Sequence, residues 1–338
     1  IMVYFKLEFG FGRGKRAENS SENGRKSDDF HLPGEQAMPE KRGWDFVAAE
    51  VERARQEQRY KIAQNYLTAA RSWTTFLGDE DWRFSDMNAE RLEEYQRWLV
   101  GRNLCMNTIS AYMRALRAMY RRVSDGEDGN PFAKVFTGRA KTAKRSITQT
   151  EMLQLKTLPL QPESSLAFAR DIFLFSFYAM GMPFVDIAYL KKAQVQGDSI
   201  HYARHKTGQR IEVALQPAML DIIRRYERGD SEFVFPILST LSSTSSAAQL
   251  HHLYTVRLRQ YNYSLHRISQ MMGLPKPLSS YVVRHSWASL AYQHHLDISL
   301  IGKALGHTKS STTFIYIKSL FDVGLAEANQ KLMSELGL

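Results

Sequence analysis

The sequence predicts a mainly α-helical protein of two domains that carries one small antiparallel β-sheet. With 338 residues, the chain has the length of two domains of ordinary size. In several long segments, apolar residues recur at the three- or four-residue spacing of helices. Residues 199–215 instead contain a turn with Gly208, after which apolar residues alternate with polar or small ones, and this pattern predicts a β-hairpin.

The composition of residues 1–43 predicts a disordered or weakly ordered arm. This segment is rich in glycine, serine, asparagine and charged residues, and has too few apolar side chains to fold alone. Its opening letters, IMVYF, are too few for the apolar region of a signal peptide. The sequence has no run of about 18 apolar residues, so we expect no transmembrane helix. The single cysteine, Cys105, excludes an internal disulfide and is typical of a reducing compartment.

The spacing of apolar residues over 44–136 predicts a helical domain. Asn88 is a residue type that caps helices and precedes one apolar stripe. The clearest helix is NTISAYMRALRAMYRRV, whose apolar residues share one face. Arg114, Arg117 and Arg121 fall together beside that face. They form either a solvated basic surface or a ridge that contacts DNA phosphates, since the forked donors of arginine suit phosphate oxygens.

Residues 137–146 predict a basic linker between the domains. Turn-forming residues over 124–132 end the helical run before it. The linker contains Lys141, Lys144 and Arg145, which form either a solvated connector or a contact along a phosphate backbone. The formal net charge of +10 favours a polyanion as partner, either nucleic acid or an acidic membrane surface.

We expect residues 147–338 to form the second domain. Thr148 and Glu151 have the spacing of a capping box before an apolar run. A strongly apolar segment then predicts a buried helix that ends near Gly181. Gly306 is typical of the residue that follows a helix end. After the hairpin, we expect a low-complexity loop over 238–249 and helices over 250–272 and 283–305.

Motifs for metal or nucleotide chemistry are missing from the sequence. It has no cysteine cluster, no His-Glu-x-x-His, no Walker loop and no glycine-rich dinucleotide turn, so we expect no metal site. Four pieces of sequence remain as candidates for chemistry: Arg284 with His285, then His307, Tyr316 and Lys206. Each alone has a structural explanation, as a surface arginine, a helix cap, a core tyrosine and a turn lysine.

Together these residues form an ordered pattern. A Lys-Thr-Gly hairpin precedes R-H-x-x-A at Arg284, L-G-H at His307 and T-T-x-x-Y at Tyr316. This order resembles the tyrosine recombinase, or phage integrase, family over about residues 44–338. The segments YVVRHSWA, FVDIAYLKK and RHKTGQ further resemble integrases and invertases of Bacteroides-type bacteria. The resemblance implies a helical core-binding, SAM-like domain and a catalytic domain that form a C-shaped DNA clamp.

The resemblance also implies a chemistry and its residues. Tyr316 would attack a phosphorus of double-stranded DNA and form a 3′-phosphotyrosyl bond, with no metal ion or nucleotide. Arg284 and His307 would stabilise negative charge on the phosphate oxygens, and Lys206 would protonate the leaving 5′-oxygen. Tyr281 occupies the place of a histidine or lysine that the family usually has three residues before the arginine. We expect Thr312 and Thr313 to fix the loop through side-chain-to-backbone bonds rather than to react.

One residue that the resemblance implies is missing. The family's first arginine lies in a turn that here reads GMPFVDIAYL, with Pro183 at the arginine position and Asp186 at the acidic one. In a shifted alignment the arginine position falls on Met180. Arg204 and Arg170 are the candidates to replace it, and the sequence does not choose between them. An inactive, DNA-bridging relative is therefore the competing hypothesis, while a type IB topoisomerase fits the two-domain layout less well.

The C-terminal segment, residues 321–338, has apolar residues at helical spacing. In the family such a tail packs on a neighbouring subunit, which implies a homotetramer on paired DNA sites, whereas the alternative is packing on its own domain. The resemblance further implies a cytoplasmic, nucleoid-associated bacterial protein and allows an accessory host protein that bends DNA. The target sequence, and the choice among integration, excision and inversion, cannot be derived from the residues.

Overall fold

The computed structural model describes residues 42–124, 129–142, 145–239, 245–307, 312–314, 330 and 333–336. The chain divides into two compact units, Ile1–Thr142 and Ala143–Leu338. The predicted boundaries of arm, linker and domains remain predictions. Tyr316, Lys144, almost all of the predicted arm and most of the C-terminal segment lie outside the described residues.

The described part of the first unit is helical, as predicted. Its helices are α1 (Gly43–Gln56), α2 (Tyr60–Leu77), α3 (Ala89–Gly101) and α4 (Met106–Val123), with a short 3-10 turn at Phe84–Asp86. Asn88 caps α3 by accepting a hydrogen bond from the backbone N–H of Arg91 at 2.9 Å. The apolar face of α4 is buried in a core that is rich in aromatic rings. Its largest fully buried side chains are Trp73, Trp82, Tyr95, Phe84 and Phe132.

The first residues of the predicted linker are fixed on α4. Ser110 donates its hydroxyl to the carbonyl of Gly138 at 2.6 Å. The Asn107 amide bonds both backbone groups of Ala140, at 3.0 Å and 2.9 Å. Residues 138–140 therefore follow the helix surface in defined positions, which a purely solvated connector would not do.

Among its described residues, the second unit contains seven α-helices, a short 3-10 turn at Lys192–Gln194 and one sheet. The helices are α5 (Gln149–Thr157), α6 (Ser165–Tyr178), α7 (Phe184–Ala188), α8 (Pro217–Tyr226), α9 (Ala247–Met271), α10 (Val282–Gln293) and α11 (Ile298–Ala304). The antiparallel sheet has the order β1 (Val195–Gln196), β2 (Ser199–Ala203), β3 (Arg210–Ala214). Apolar α6 packs against α8, α9 and α10, so it forms the centre of this unit's core.

Several predicted features of the second unit are confirmed. Thr148 and Glu151 form a reciprocal capping box at the start of α5. β2 and β3 form the predicted hairpin, with Gly208 in the left-handed region at φ 68°. The buried helix before Gly181 is α6.

Two predicted boundaries are wrong. The loop expected over 238–249 ends earlier, because α9 begins at Ala247 and Ser246 forms a capping box with Gln249. The helix expected over 283–305 is interrupted after Gln293 by a turn, and Asp297 caps a new helix, α11. Both differences come from short polar side chains that satisfy backbone groups at helix starts.

Within the described ranges, every helix is either too short or too polar to span a bilayer.

Candidate active site

The C-terminal end of α11 is the point at which the candidate residues meet. Leu305 is the C-cap of this helix, and Gly306 follows it with φ 61°, a conformation that favours glycine. A Cβ atom on Gly306 would also lie 2.6 Å from Cδ of Arg204, so glycine is needed here for space as well. The backbone N–H of His307 donates to the carbonyl of Gly302 at 2.9 Å. The predicted helix-ending role of Gly306 is confirmed.

Arg284 is buried on α10, with 2% of its surface exposed. Its Nη1 donates to the carbonyl of Gly181 at 3.0 Å, and its Nη2 donates to the carbonyl of Leu305. Gly181 has φ 74°, and a Cβ atom there would lie 3.0 Å from Cα of Arg284. The turn after α6 can therefore approach α10 closely enough to hold the guanidinium group.

Arg204 directly follows β2 and is also buried, with 8% of its surface exposed. Its Nη1 donates to the carbonyls of Leu305 at 2.9 Å and Gly306 at 3.3 Å. Two arginines from distant parts of the sequence therefore share the carbonyl of Leu305. The backbone of Arg204 closes the hairpin turn, since its N–H donates to Gln209 and its carbonyl accepts from Gly208.

Asp186, on α7, brings a carboxylate beside these arginines. Its Oδ2 lies 3.8 Å from Nε of Arg204, and its Oδ1 accepts a hydrogen bond from the backbone N–H of His205 at 2.8 Å. Burial raises the pKa of Asp186, while the His205 N–H and the positive charges of Arg204 and Arg284 act in the opposite direction. Pro183, at the position where the resemblance implies an arginine, is the residue that precedes α7.

His307 is half-buried among positive charges. Burial lowers its pKa to about 4, and the charges of Arg284, Arg204 and Lys206 act in the same direction. The imidazole is therefore neutral at pH 7. Its Nδ1 lies 2.9 Å from the hydroxyl of Thr313, which is fully buried. Thr313 was expected to bond the backbone, and the structure shows it bonding this ring instead.

The other three predicted catalytic residues are Lys206, Tyr281 and Tyr316. Lys206 is exposed in the turn between β2 and β3, near enough for its charge to act on His307. Tyr281 precedes α10, and its ring meets that of His285 edge-on at 4.8 Å between centroids. Tyr316 lies outside the described residues.

Arg170, the other candidate to replace the missing arginine, belongs to a different network. It donates to Asp171 at 2.9 Å and to the carbonyl of Leu158 at 2.9 Å. Asp171 also accepts hydrogen bonds from Arg225 and Tyr226. Arg170 therefore ties α6 to the end of α5, and Asp171 ties α6 to α8. These bonds of Arg170 do not reach the cluster at the end of α11.

The predicted DNA-binding residues of the first unit lie on or near α4. Nε of Arg114 donates to the carbonyl of Ser110 at 3.3 Å, and Nη1 of Arg117 donates to the hydroxyl of Thr137 at 3.2 Å. Arg121 is exposed. Lys141 is exposed and Arg145 is partly exposed in the basic segment after α4. These positions are compatible with phosphate contacts, which stay a prediction.

The cluster at the end of α11 has the chemistry of a phosphate site. Arg204, Arg284 and Lys206 carry positive charges, whereas Asp186 is the carboxylate placed beside the arginines. Such an excess of forked and point-like cations favours a bound oxyanion. Nowhere in the described ranges do three His, Cys, Asp or Glu residues form a group that could hold a metal ion.

Sequence reasoning missed two features of this site. The first is the choice of Arg204 over Arg170, for which the only signal was its position two residues before Lys206. The second is the contact between Thr313 and His307, which the T-T-x-x-Y motif does not specify. Both depend on contacts between segments that are separated by a loop or by many residues.

Comparison with known proteins identifies the family to which this fold belongs. The phage integrase family model matches residues 145–322, more than half of the chain, and the phage integrase SAM-like domain matches residues 44–123. The chain belongs to the phage integrase family.

Its relatives include the tyrosine recombinase XerC of Pediococcus pentosaceus. That protein is 23% identical over 263 residues, which cover 76% of this chain and 86% of the relative. An integrase/recombinase of Escherichia coli is 31% identical over 72 residues, or 21% of this chain and 20% of the relative.

Solved structures share the fold at low sequence identity. A lambda integrase dimer bound to a COC′ core site matches with a TM-score of 0.58 and 15% identity, covering 81% of this chain and 94% of that one. A lambda integrase tetramer bound to a Holliday junction matches with a TM-score of 0.56 and 16% identity, covering 80% and 76%. The Tn1549 transposon integrase in complex with a circular intermediate DNA matches with a TM-score of 0.52 and 13% identity, covering 81% and 94%.

Proposed function

We propose that this chain is a site-specific recombinase that cuts and rejoins double-stranded DNA through a 3′-phosphotyrosyl bond at Tyr316. The observation that carries this proposal is the convergence of Arg284 and His307 on the end of α11, within the part of the chain that the phage integrase family matches. The charge of Lys206 acts on the same place.

The proposed reaction needs only side chains and DNA. A phenol has a pKa of about 10, so Tyr316 needs a positioned target and stabilisation of charge to react at pH 7. Tyr316 loses its proton to solvent, its oxygen bonds to phosphorus, and the bond from phosphorus to the 5′-oxygen breaks. Lys206 protonates that leaving oxygen. Attack by the 5′-hydroxyl of another strand then releases Tyr316 and joins the strands.

Arg284 and His307 stabilise the negative charge that builds on the non-bridging phosphate oxygens. In the protein without DNA, burial and the neighbouring positive charges keep His307 neutral at pH 7, and a neutral imidazole can still donate one hydrogen bond to phosphate. When the hydroxyl of Thr313 donates to Nδ1, the single proton of the neutral ring sits on Nε2. Thr313 thus selects the tautomer of His307 whose Nε2–H can donate to phosphate. Tyr281 supplies a phenol in the neighbourhood of α10 and completes the proposed catalytic set.

Assembly on paired DNA sites is part of the proposal. The lambda integrase dimer and tetramer that share this fold are bound to DNA, which supports a homotetramer of the present chain. The C-terminal segment, residues 321–338, would pack on a neighbouring subunit. Integration or excision of a mobile element, or inversion of a DNA segment, is the biological outcome we propose, with an accessory DNA-bending protein where a site requires one.

The first test is covalent capture of the protein on its own recombination site. That site can be sought as repeats in the DNA that flanks the gene. On a nicked suicide substrate the wild type should form an adduct that survives a denaturing gel and carries DNA by its 3′-end. Tyr316→Phe should bind the same DNA and form no adduct, because a phenyl ring has no nucleophile.

A second function, DNA bridging without cleavage, is favoured by one observation, the proline at position 183. Specific binding by the wild type with no adduct would establish this second function and refute the first. An adduct that persists in Tyr316→Phe would assign the nucleophile to another residue.

A further inference from the structure

Two buried arginines of the described part of the chain, Arg204 and Arg284, meet at the end of α11. Arg204 and Arg284 are 8% and 2% exposed, and Oδ2 of Asp186 lies 3.8 Å from Nε of Arg204. The other buried carboxylate of the described second unit, Asp171, is bonded to Arg170 and Arg225. Two buried guanidinium groups that meet at one point favour an oxyanion, which can accept hydrogen bonds from both.

The hydrogen bonding of Arg204 is incomplete. A guanidinium group has five N–H donors, and within the described residues Arg204 uses only those of Nη1. Its Nε is buried and makes no hydrogen bond to the described residues, and the same holds for Oδ2 of Asp186, 3.8 Å away. The guanidinium is therefore oriented by Leu305, Gly306 and Asp186 while it keeps donors for a further acceptor.

Arg284, on α10, donates to the same Leu305 carbonyl that accepts a hydrogen bond from Arg204. Both guanidinium groups donate to Leu305, so two like charges are fixed close together. A phosphate offers acceptors to two forked donors at once and removes their repulsion. Burial lowers the pKa of His307, and the charges of both arginines lower it further, so both lie close to that ring.

We propose that Arg204 is a catalytic residue that binds the scissile phosphate together with Arg284, and that Asp186 positions its guanidinium group. This inference rests on the proposed function. The two arginines would contact the two non-bridging oxygens, on which negative charge increases as the phosphorus becomes five-coordinate. The hairpin thus supplies the cation that is missing at Pro183, and α7 supplies the carboxylate that orients it.

The alternative is that Arg204 only holds the Leu305–Gly306 turn in place. Charge neutralisation of the DNA separates these roles. In a methylphosphonate substrate, a methyl group replaces one non-bridging oxygen at the scissile position, and the transition state needs less cationic stabilisation. Arg204→Ala should form the adduct about 10²–10³-fold more slowly than wild type on the phosphate substrate, the usual effect of losing such a donor. On the methylphosphonate most of this difference should disappear.

Three further variants calibrate the difference between the rates on the two substrates. Arg284→Ala should show the same pattern, because it loses the other phosphate donor. Arg210→Ala removes an exposed arginine from the same hairpin and should keep the wild-type ratio of rates on the two substrates. Arg204→Lys keeps the charge without the fork and should lie between wild type and Arg204→Ala.

Arg204→Ala with equal loss on both substrates would overturn the proposal and make Arg204 a structural residue. Wild-type rates in Arg204→Ala would overturn it as well.

A binding experiment keeps this result distinct from failure of the proposed function. In a Tyr316→Phe background, which cannot form the adduct, a single methylphosphonate at the scissile position should weaken DNA binding. Adding Arg204→Ala should reduce that sensitivity, because one of the two arginines that bind the phosphate is already gone. If wild type forms no adduct but this coupling is present, the recombinase proposal fails and the Arg204 contact stands; if the coupling is absent, the contact is refuted.

Discussion

The arginines of α4 and the arginines at the end of α11 are two different solutions for binding phosphate. Arg114 and Arg117 are partly exposed and bond Ser110 and Thr137, while Arg121 is exposed. Arg204 and Arg284 are buried and bond main-chain carbonyls from distant segments. Surface cations neutralise phosphates and add affinity, whereas buried, fixed donors can stabilise charge that appears only during reaction.

The difference also decides which residues can be replaced at small structural cost. A side chain on the surface of α4 can move to follow the DNA backbone. The buried arginines cannot move without breaking the hydrogen bonds that join α10, α11 and the hairpin. We therefore expect the first set to change affinity and salt dependence and the second set to change the rate of cleavage.

Lys206 gives the largest expected effect and tests whether an exposed cation can still be catalytic. It resembles the α4 arginines in exposure but lies on the hairpin next to Arg204. Lys206→Ala should bind DNA with near wild-type affinity and form the adduct about 10²–10⁴-fold more slowly, because the leaving oxygen loses its proton donor. Single-turnover cleavage on a suicide substrate measures this rate.

A sulfur leaving group provides the control for Lys206. A 5′-phosphorothiolate substrate releases a thiol, whose pKa of about 8.5 lets it leave without a proton. This substrate should restore most of the rate of Lys206→Ala. Lys156→Ala, which removes an exposed lysine at the end of α5, should behave as wild type on both substrates. A Lys206→Ala defect that persists with sulfur would exclude the general-acid role.

Local patterns in the sequence were sufficient for most of the fold. The apolar face of α4, the capping box at Thr148 and the turn at Gly208 each depend on residues that are near neighbours in the chain, and all three are confirmed. Capping was also the source of the errors, because the start of α9 at Ser246 is hidden in a serine-rich stretch.

The site could be predicted only in part for a related reason. Arg284 and His307 were identified from short motifs. The hydrogen bond from Arg204 to Leu305 joins segments about one hundred residues apart, and a single sequence does not contain that information. The carboxylate of Asp186 was noticed at its motif position, but its partner is on the hairpin and not on its own helix.

The α4 arginines give the second prediction, on affinity. Replacing both Arg117 and Arg121 by alanine should weaken DNA binding and lower the slope of log K against log salt by about 0.9 for each phosphate that these side chains neutralise. Binding titrations between about 50 and 200 mM salt measure this slope. At saturating protein the adduct should form at the wild-type rate, since these residues lie outside the proposed reaction centre.

Two results would break this part of the comparison. An unchanged slope would mean that the arginines are a solvated face of a core helix, the alternative that the sequence left open. A slower adduct rate at saturation would mean that α4 contributes to the reaction and not only to affinity. Arg53→Ala, which removes an exposed arginine of α1 that is paired with Glu50, serves as a control for loss of surface charge in the same unit.

The smallest expected effect concerns the pKa of His307 and needs no DNA. Burial and the charges of Arg284, Arg204 and Lys206 hold this pKa at about 4, so the ring should stay neutral as the pH falls through its ordinary value of 6.5. Arg204→Ala removes one of these charges and should raise the pKa of His307. The value should stay below 6.5, because burial is the larger cause and remains. NMR titration of the histidine ring protons, with His307→Gln to identify the signal, measures the shift.

Arg170→Ala is the matched control for this titration. It also removes a partly buried arginine of the second unit, but one that is bonded to Asp171 and Leu158 and not to the end of α11. The pKa of His307 should therefore not change in that variant. Equal pKa values in Arg204→Ala and wild type would place Arg204 too far from His307 to share a phosphate with it. Arg204 would then have a role outside the reaction, as we expect for the exposed arginines of α4.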